Sequence, residues 1–296
     1  MSLKKVLLTG GSGFIGKNIL ESYLAQKYQI LAPNRTELDL LDTKSTDEYF
    51  NQNSFDVVIH SAAKPGHRNS PDSSNLLYSN LRMFSNLERN KEKFGKLINI
   101  GSGAIYDNSK DIVDVNENEI YKNIGEEEHS FCKYIMQKQI DKIDSFVSLN
   151  IFGIFGKYED WEIRFISNAI CKSIFDLPIT IKQNRRFSYL FVEDLMPILE
   201  FFIENNPKHK SYNIVPDAKF ELVEIANMIR QFSDSSLPLK ISKDGMGLEY
   251  TGDNSLLKSE FVNLKFTNIF TAIKMLYNFY NKNKDTIDKK LLLIDK

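Results

Sequence analysis

Three glycines spaced three residues apart, Gly10, Gly13 and Gly16, separate a short apolar run from an amphipathic segment. A strand, a tight turn and a helix in this order are typical of a site for a dinucleotide diphosphate. Gly10 can adopt a positive φ, Gly13 lets the diphosphate approach the backbone, and Gly16 lets the helix pack against the strand. The free N–H groups at the start of the helix, from Phe14 and Ile15, would point at the phosphates. The alternative is an ordinary loop between a strand and a helix.

The residues after the second predicted strand bear on the choice of cofactor. A carboxylate at this place binds a ribose 2′-hydroxyl, whereas an arginine accepts a 2′-phosphate. Asn34 and Arg35 are the first polar groups here, and no acid precedes Glu37. The charge therefore favours NADP over NAD, although Arg35 as a solvated loop residue is the alternative.

The apolar patterns that position these residues alternate between strand and helix through the first half of the chain. Such alternation predicts an α/β fold with a Rossmann-type, doubly wound parallel sheet. The second half is mixed and predicts a smaller substrate lobe, which gives residues 1–152 for the dinucleotide domain and 153–296 for a lobe interleaved with it. The predicted strands are 6–8, 29–32, 55–60, 96–101, 146–152, 178–181, 187–191 and 212–215. The predicted helices are 14–27, 45–51, 75–89, 131–142, 162–175, 192–204, 222–232 and 268–281, and the segment after 282 is left unassigned.

Composition excludes several classes of function. The formal net charge is −1 and there is no basic block, which argues against nucleic acid as a partner. No apolar run approaches the ~20 residues that span a bilayer, and the apolar run before Gly10 is too short for a signal peptide. Cys132 and Cys171 alone make neither a disulfide framework nor a metal site, so we expect reduced thiols, no metal and a cytoplasmic location.

Several stretches resemble the extended short-chain dehydrogenase/reductases that act on nucleotide sugars. Residues 34–42 (NRTELDLLD) and 60–66 (HSAAKPG) are most similar to the GDP-fucose synthases in that group. The resemblance implies a nucleotide-sugar substrate and a cofactor site that extends beyond the glycine turn. It implies that Asp39 and Leu40 lie near the adenine, and that Ala62, Ala63 and Lys64 line the path to the nicotinamide.

The same resemblance implies contacts to the substrate and to a second subunit. The stretch 187–195 resembles the segment that borders the nucleotide phosphates, so Arg185 and Arg186 are candidate phosphate ligands, and Asn150 is a further candidate substrate contact. Helices 75–89 and 131–142 would pair with a symmetry mate in a homodimer. Both helices carry apolar residues on more than one face, such as Leu76 and Met83 beside the Leu77 stripe, which favours this pairing. The alternative is that the chain's own tail covers this surface.

The family's catalytic set is Ser or Thr followed by Tyr-x-x-x-Lys, and the resemblance places it on Ser102, His129 and Lys133. Histidine thus replaces the tyrosine, while Lys133 is also a cofactor ligand at the nicotinamide ribose. An imidazole gives and takes protons near neutral pH, and the Lys133 cation is expected to lower its pKa. Tyr134 and Lys138 have the same spacing in a rival register. Ser102 as a simple turn cap is the alternative to a catalytic hydroxyl.

The residues beside Ser102 restrict the set of reactions that the site could catalyse. The resemblance implies an Asp-Glu pair after the Ser or Thr in the sugar dehydratases, where this chain has Gly103 and Ala104. It implies a cysteine at Ala104 and a histidine near Arg164 in GDP-fucose synthases, and both are missing here. Of the reactions that this family catalyses, oxidation or reduction at a single carbon is the one that these residues still allow. We therefore expect a reductase of a nucleotide-linked 4-keto sugar in surface-polysaccharide precursor synthesis. The alternatives are a nucleotide-sugar 4-epimerase and a cofactor-binding protein without turnover.

Overall fold

A parallel six-stranded sheet forms the centre of the protein, as seen in a computed structural model that describes residues 3–66, 74–233 and 238–294. Its strands lie in the order β2 (Gln29–Leu31), β1 (Lys5–Thr9), β3 (Phe55–His60), β4 (Phe94–Ser102), β6 (Phe146–Ile151) and β11 (Ser211–Ile214), and every neighbouring pair is parallel. This confirms the predicted α/β fold with its doubly wound sheet. The other strands are β5 Ile112–Val115, β7 Gly153–Phe155, β8 Thr180–Asn184, β9 Arg186–Phe187, β10 Tyr189–Phe191, β12 Phe220–Glu221, β13 Lys240–Met246 and β14 Tyr250–Gly252.

Helices cover both faces of the central sheet. The helices are α1 Phe14–Glu21, α2 Leu24–Lys27, α3 Thr43–Gln52, α4 Leu76–Arg89, α5 Glu128–Ile140, α6 Phe165–Ile174, α7 Leu195–Glu204, α8 Leu222–Arg230, α9 Ser255–Glu260, α10 Ile269–Lys282 and α11 Lys289–Leu292. No helix in these described parts of the chain is long and apolar enough to cross a bilayer. Cys132 and Cys171 are buried free thiols.

Alternation along the strands divides the core into two layers. Val6 and Leu8 pack with α1, α2 and α7 on one face, whereas Leu7 packs with α3, α4 and α5 on the other. All three side chains are fully buried. Burying an aliphatic side chain of this size contributes about 1.5–3 kcal/mol, so the sheet is held in place from both sides.

Two helices differ from their predicted bounds in ways that affect the site. The predicted helix 14–27 is interrupted at Ser22, whose hydroxyl donates to the Ile19 carbonyl oxygen (2.7 Å) and accepts from the Leu24 N–H (3.2 Å). The helix expected from residue 131 begins at Glu128. His129 therefore lies in the first turn of a helix and has a fixed backbone.

The second half of the chain forms three small sheets and a helical layer, and it also completes the central sheet. β11 lies at the edge of the large sheet beside β6. Conversely, strand β5 of the first half belongs to a four-stranded sheet of the C-terminal lobe, where it pairs with β14. The halves are thus interleaved, and a division at residue 152 stays a prediction. The C-terminal segment, for which the sequence predicted no structure, contains α11, and Leu292 of this helix packs in the core of the lobe.

Candidate active site

The glycine turn between β1 and α1 is shaped by close backbone contacts. Gly10 has φ +74°, and a Cβ atom there would stand 2.7 Å from the Ala62 backbone nitrogen. A Cβ atom on Gly16 would stand 2.2 Å from the Gly10 carbonyl oxygen. Gly13 is exposed and precedes Phe14 at the start of α1 with no side chain capping the helix. The Gly13 N–H donates to the Gly10 carbonyl oxygen (3.0 Å), which closes the turn. The turn fits a dinucleotide diphosphate, because no side chain caps the start of α1 or blocks the approach at Gly13.

The loop after β2 is stabilised by hydrogen bonds between its own residues, and its Arg35 side chain is exposed to solvent. Asn34 accepts hydrogen bonds from the Thr36 N–H (2.8 Å) and hydroxyl (2.6 Å). The Arg35 side chain is 75% exposed, with its Nε 3.4 Å from an Asp39 carboxylate oxygen. The Leu40 side chain is buried in the core and its carbonyl oxygen accepts from Asn86 (2.8 Å), and the position of this residue near the adenine stays a prediction.

The turn after β3 lies directly beside the glycine turn. The Ala62 N–H donates to the Thr9 hydroxyl (3.2 Å), which ties the ends of β1 and β3 together. Ala63 is exposed. Lys64 is held by its backbone N–H to Asn80 (2.8 Å) and by its ammonium group to the Ser74 carbonyl oxygen (2.5 Å). A cofactor contact from the Lys64 side chain would have to compete with that carbonyl.

The Ser102 hydroxyl and the Lys133 ammonium group both lie near the carboxyl end of β4. The Ser102 hydroxyl oxygen accepts from the Ala104 N–H (3.2 Å), so it does cap the following turn, and it keeps its own proton to donate. The Lys133 ammonium group lies 3.4 Å from the Ile100 carbonyl oxygen, to which it donates. Helix α5 is fixed there because the Ser130 hydroxyl donates to the Ala104 carbonyl oxygen (2.6 Å). A hydroxyl donor and a cation thus lie together at one strand end.

His129 lies one turn before Lys133 on α5 and is half-buried. Burial, together with the nearby Lys133 and Arg164 cations, lowers the pKa of the imidazole to about 4. The direction is the one expected from Lys133, but burial is the larger cause. The ring is therefore neutral at pH 7, where about one in a thousand is protonated.

The rival pair, Tyr134 and Lys138, lies on another side of α5. The Lys138 ammonium group lies 3.7 Å from the ring centre of Tyr121 and 5.6 Å from that of Tyr134. The Tyr134 ring is nearly parallel to Phe131, with centroids 6.4 Å apart. Lys138 is therefore part of a surface aromatic cluster, and this placement favours the register of His129 and Lys133.

A cavity of about 490 Å³ opens in the C-terminal lobe. Arg185 lines it, packs over the Phe187 ring at 4.9 Å and donates to the Leu248 carbonyl oxygen (2.6 Å). Arg186 is on the next position of the strand, pairs with Glu221 (3.4 Å) and is not one of the residues that line this cavity. Arg185 is thus the better placed of the two for a substrate phosphate.

Asn150 is 1% exposed on β6, where its amide donates to the Ser211 hydroxyl (2.7 Å). Its side chain is used inside the central sheet, and this burial argues against direct contact with a substrate. Its role in binding stays a prediction.

Tyr250, which the sequence patterns did not single out, lies beside Ser102. A Cβ atom on Gly103 would stand 2.6 Å from the Tyr250 hydroxyl oxygen. The Tyr250 ring packs on Phe152 and Phe187, with centroids 4.9 and 5.9 Å away. It comes from β14, far along the chain, and no local pattern marks it. A phenol therefore occupies the space that a side chain at position 103 would fill.

Fold and site together define an α/β protein built to bind a dinucleotide next to a serine–lysine pair. The chain belongs to the NAD dependent epimerase/dehydratase family, whose model matches residues 6–215. It is 26% identical to the GDP-L-colitose synthase of Yersinia pseudotuberculosis over 226 residues, which are 69% of this chain and 73% of that protein.

Solved structures of low identity share the whole fold. One is a GDP-mannoheptose C4 reductase from Campylobacter jejuni with NADP bound (TM-score 0.81, 18% identity, 95% of this chain and 99% of that chain). Another is the UDP-glucose 4-epimerase of Thermotoga maritima with UDP-glucose (TM-score 0.79, 14% identity, 95% and 99%). The fold is therefore one that both reductases and epimerases use.

Proposed function

We propose that this protein is an NADPH-dependent reductase of a nucleotide-linked 4-keto sugar that supplies a surface-polysaccharide precursor. The observation that carries the proposal is the end of β4, where Lys133 donates to the carbonyl of Ile100, two residues before Ser102, and where Gly103 and Ala104 follow. A donor hydroxyl and a cation suit the reduction of a carbonyl. Neither Gly103 nor Ala104 can transfer a proton, so elimination of water has no acid or base at those positions.

Each part of the site has a role in this reaction. The glycine turn would hold the diphosphate of NADPH, Arg35 its 2′-phosphate, and Lys133 its nicotinamide ribose. When bound, NADPH supplies the hydride. Ser102 and the neutral ring of His129 would donate hydrogen bonds to the reacting oxygen, and Arg185 would bind the phosphates of the substrate.

The relatives, and the residue at position 164, support the proposed substrate class. Two of the three relatives described above, those from Yersinia and Campylobacter, are GDP-sugar enzymes, which supports a GDP-linked sugar. Arg164 stands near the place where the resemblance to GDP-fucose synthases implies a histidine, and an arginine stays protonated. It cannot act as the base that an epimerisation beside the ketone requires.

The test is to mix the purified protein with NADPH and a panel of GDP- and UDP-linked 4-keto sugars, and to follow both NADPH absorbance and products by mass spectrometry. A reductase consumes one NADPH for each hydroxyl formed. A parallel assay supplies NADP⁺ and the corresponding 4-hydroxy sugars, because a 4-epimerase would invert the 4-hydroxyl group there with no net formation of NADPH. Binding of NADPH without either reaction across the panel would favour a protein without turnover and overturn the proposal.

A further inference from the structure

We propose that Tyr250 supplies the phenolic proton donor that position 129 lacks, and that it protonates the carbonyl oxygen held by Ser102. This inference rests on the proposed reductase function. It assigns the proton transfer to a residue of the C-terminal lobe, on β14, instead of a residue on α5.

The position of the Tyr250 hydroxyl is the first support. It lies next to the backbone of Gly103, the residue that directly follows Ser102. Ser102 is the group proposed to hold the reacting oxygen. An oxygen atom bound by Ser102 would thus lie close to the phenol as well.

The second support is that Tyr250 connects the reacting end of the site with the substrate cavity. Its ring contacts Phe187, and Phe187 and Arg185 line the cavity. Its backbone is fixed, because the Tyr250 carbonyl oxygen accepts from the Ser188 N–H (3.1 Å). A sugar that reached from Arg185 to Ser102 would pass this side chain.

The third support is the state of His129. A neutral imidazole can donate a hydrogen bond, but its N–H is too weak an acid to give up a proton at pH 7. Burial raises the pKa of Tyr250, so the phenol keeps its proton at neutral pH, and the Arg164 and Arg185 cations act in the opposite direction. The neighbouring titratable group on the Gly103–Tyr106 turn is the phenol of Tyr106.

The step balances with NADPH as the reductant. NADPH would supply the hydride from a C–H bond of its reduced nicotinamide and become NADP⁺, and the hydride would form a new C–H bond at the carbonyl carbon. The electrons of the C=O π bond would move to oxygen, and the Tyr250 O–H bond would break as that oxygen takes the proton. The tyrosinate is stabilised by the Arg164 and Arg185 charges until solvent returns a proton.

The first experiment compares Tyr250→Phe with Tyr106→Phe. Tyr106 is a matched control, because it packs on the same Phe152 ring (6.0 Å) but donates its hydroxyl to Asn213 (2.7 Å) inside the fold. We expect Tyr250→Phe to lower kcat by about 10²–10⁴-fold with little change in KM or in NADPH affinity. Tyr106→Phe should stay within a few-fold of the parent in kcat. A Tyr250→Phe kcat within about threefold of the parent would overturn the inference.

Two further measurements test the role of Tyr250 even if the Tyr250→Phe variant folds poorly. Site-specific incorporation of difluorotyrosine at position 250 preserves the shape and lowers the phenol pKa, so the alkaline loss of activity should move to lower pH. An unmoved pH profile would contradict proton donation. In protein with [¹³Cζ]tyrosine incorporated site-specifically at position 250, the single labelled resonance should shift when a nucleotide-linked sugar with a free 4-hydroxyl is added, and no shift would exclude contact. If the parent itself reduces no keto sugar, the proposed function fails first.

Discussion

The hydroxyl oxygen of Tyr250 lies 2.6 Å from the point at which a Cβ atom on Gly103 would stand. A Cβ atom there would also meet the Phe152 ring at 2.8 Å. We therefore expect Gly103→Ala to destabilise the protein by about 1–3 kcal/mol, as overpacking does, and to lower kcat by displacing the phenol. Urea unfolding and steady-state kinetics would measure the two effects.

Gly252→Ala is the control for this prediction. Its Cβ atom would meet the same Phe152 ring at 2.8 Å, with no Tyr250 hydroxyl among its close neighbours. It should lose comparable stability and retain more activity. Equal losses of kcat in the two variants would show that the Phe152 ring, not the phenol, is what matters.

Arg35→Ala should weaken NADPH binding by about 1.5–3 kcal/mol, the range for a hydrogen bond to a charged group. NADH binding should hardly change, because NADH has no 2′-phosphate. Titration calorimetry with the two cofactors measures the difference. Arg89→Ala is a matched control, since Arg89 is also an exposed arginine paired with an aspartate, Asp47 (3.1 Å). Equal losses for both cofactors with Arg35→Ala would refute the assignment to the 2′-phosphate.

His129→Gln and His129→Phe separate hydrogen bonding from proton transfer. With a pKa of about 4, His129 is neutral through the physiological range. We expect His129→Gln, which still donates a hydrogen bond, to keep kcat at pH 7 within about tenfold, and His129→Phe to lose about 10–100-fold. A protonated donor would behave differently: the parent rate would rise as pH falls toward 4, and neither variant would show that rise. Stopped-flow pH profiles from pH 4 to pH 9 distinguish the two cases.

The predicted homodimer now depends on different side chains. Leu76 is 4% exposed, and Met83 is partly buried against the chain's own core, so these two side chains offer little surface to a second subunit. Tyr78 on α4 and Phe131 on α5 are the exposed apolar residues, at 65% and 37%. We expect sedimentation at micromolar concentration to give about 68 kDa, twice the chain mass of 34.2 kDa.

The double variant Tyr78→Glu with Phe131→Glu should sediment as a monomer. Val262→Glu, at a residue that is 79% exposed outside α4 and α5, should leave the dimer intact. A parent protein that sediments only at the monomer mass would refute the dimer.

Local patterns in the sequence were enough for the cofactor end of the site. The spacing of Gly10 and Gly16 depends on contacts within one strand, turn and helix, so a short stretch of sequence carries the whole constraint. Ser102 could be placed for the same reason, because a strand of a parallel sheet presents its last residue at the carboxyl edge. The alternation of strands and helices determined the order of layers, because each parallel connection needs a crossover.

Only the tertiary structure could identify the residues at the part of the site where the reaction would take place. Spacing alone cannot choose between His129–Lys133 and Tyr134–Lys138, because both pairs are four residues apart and differ only in the helix face they occupy. The pKa of His129 depends on burial, which is a property of the surrounding elements. Tyr250 reaches Gly103 through the pairing of β14 with β5 and β9. Such contacts between distant segments follow from how the sheets close on one another, and no local pattern of residue types records them.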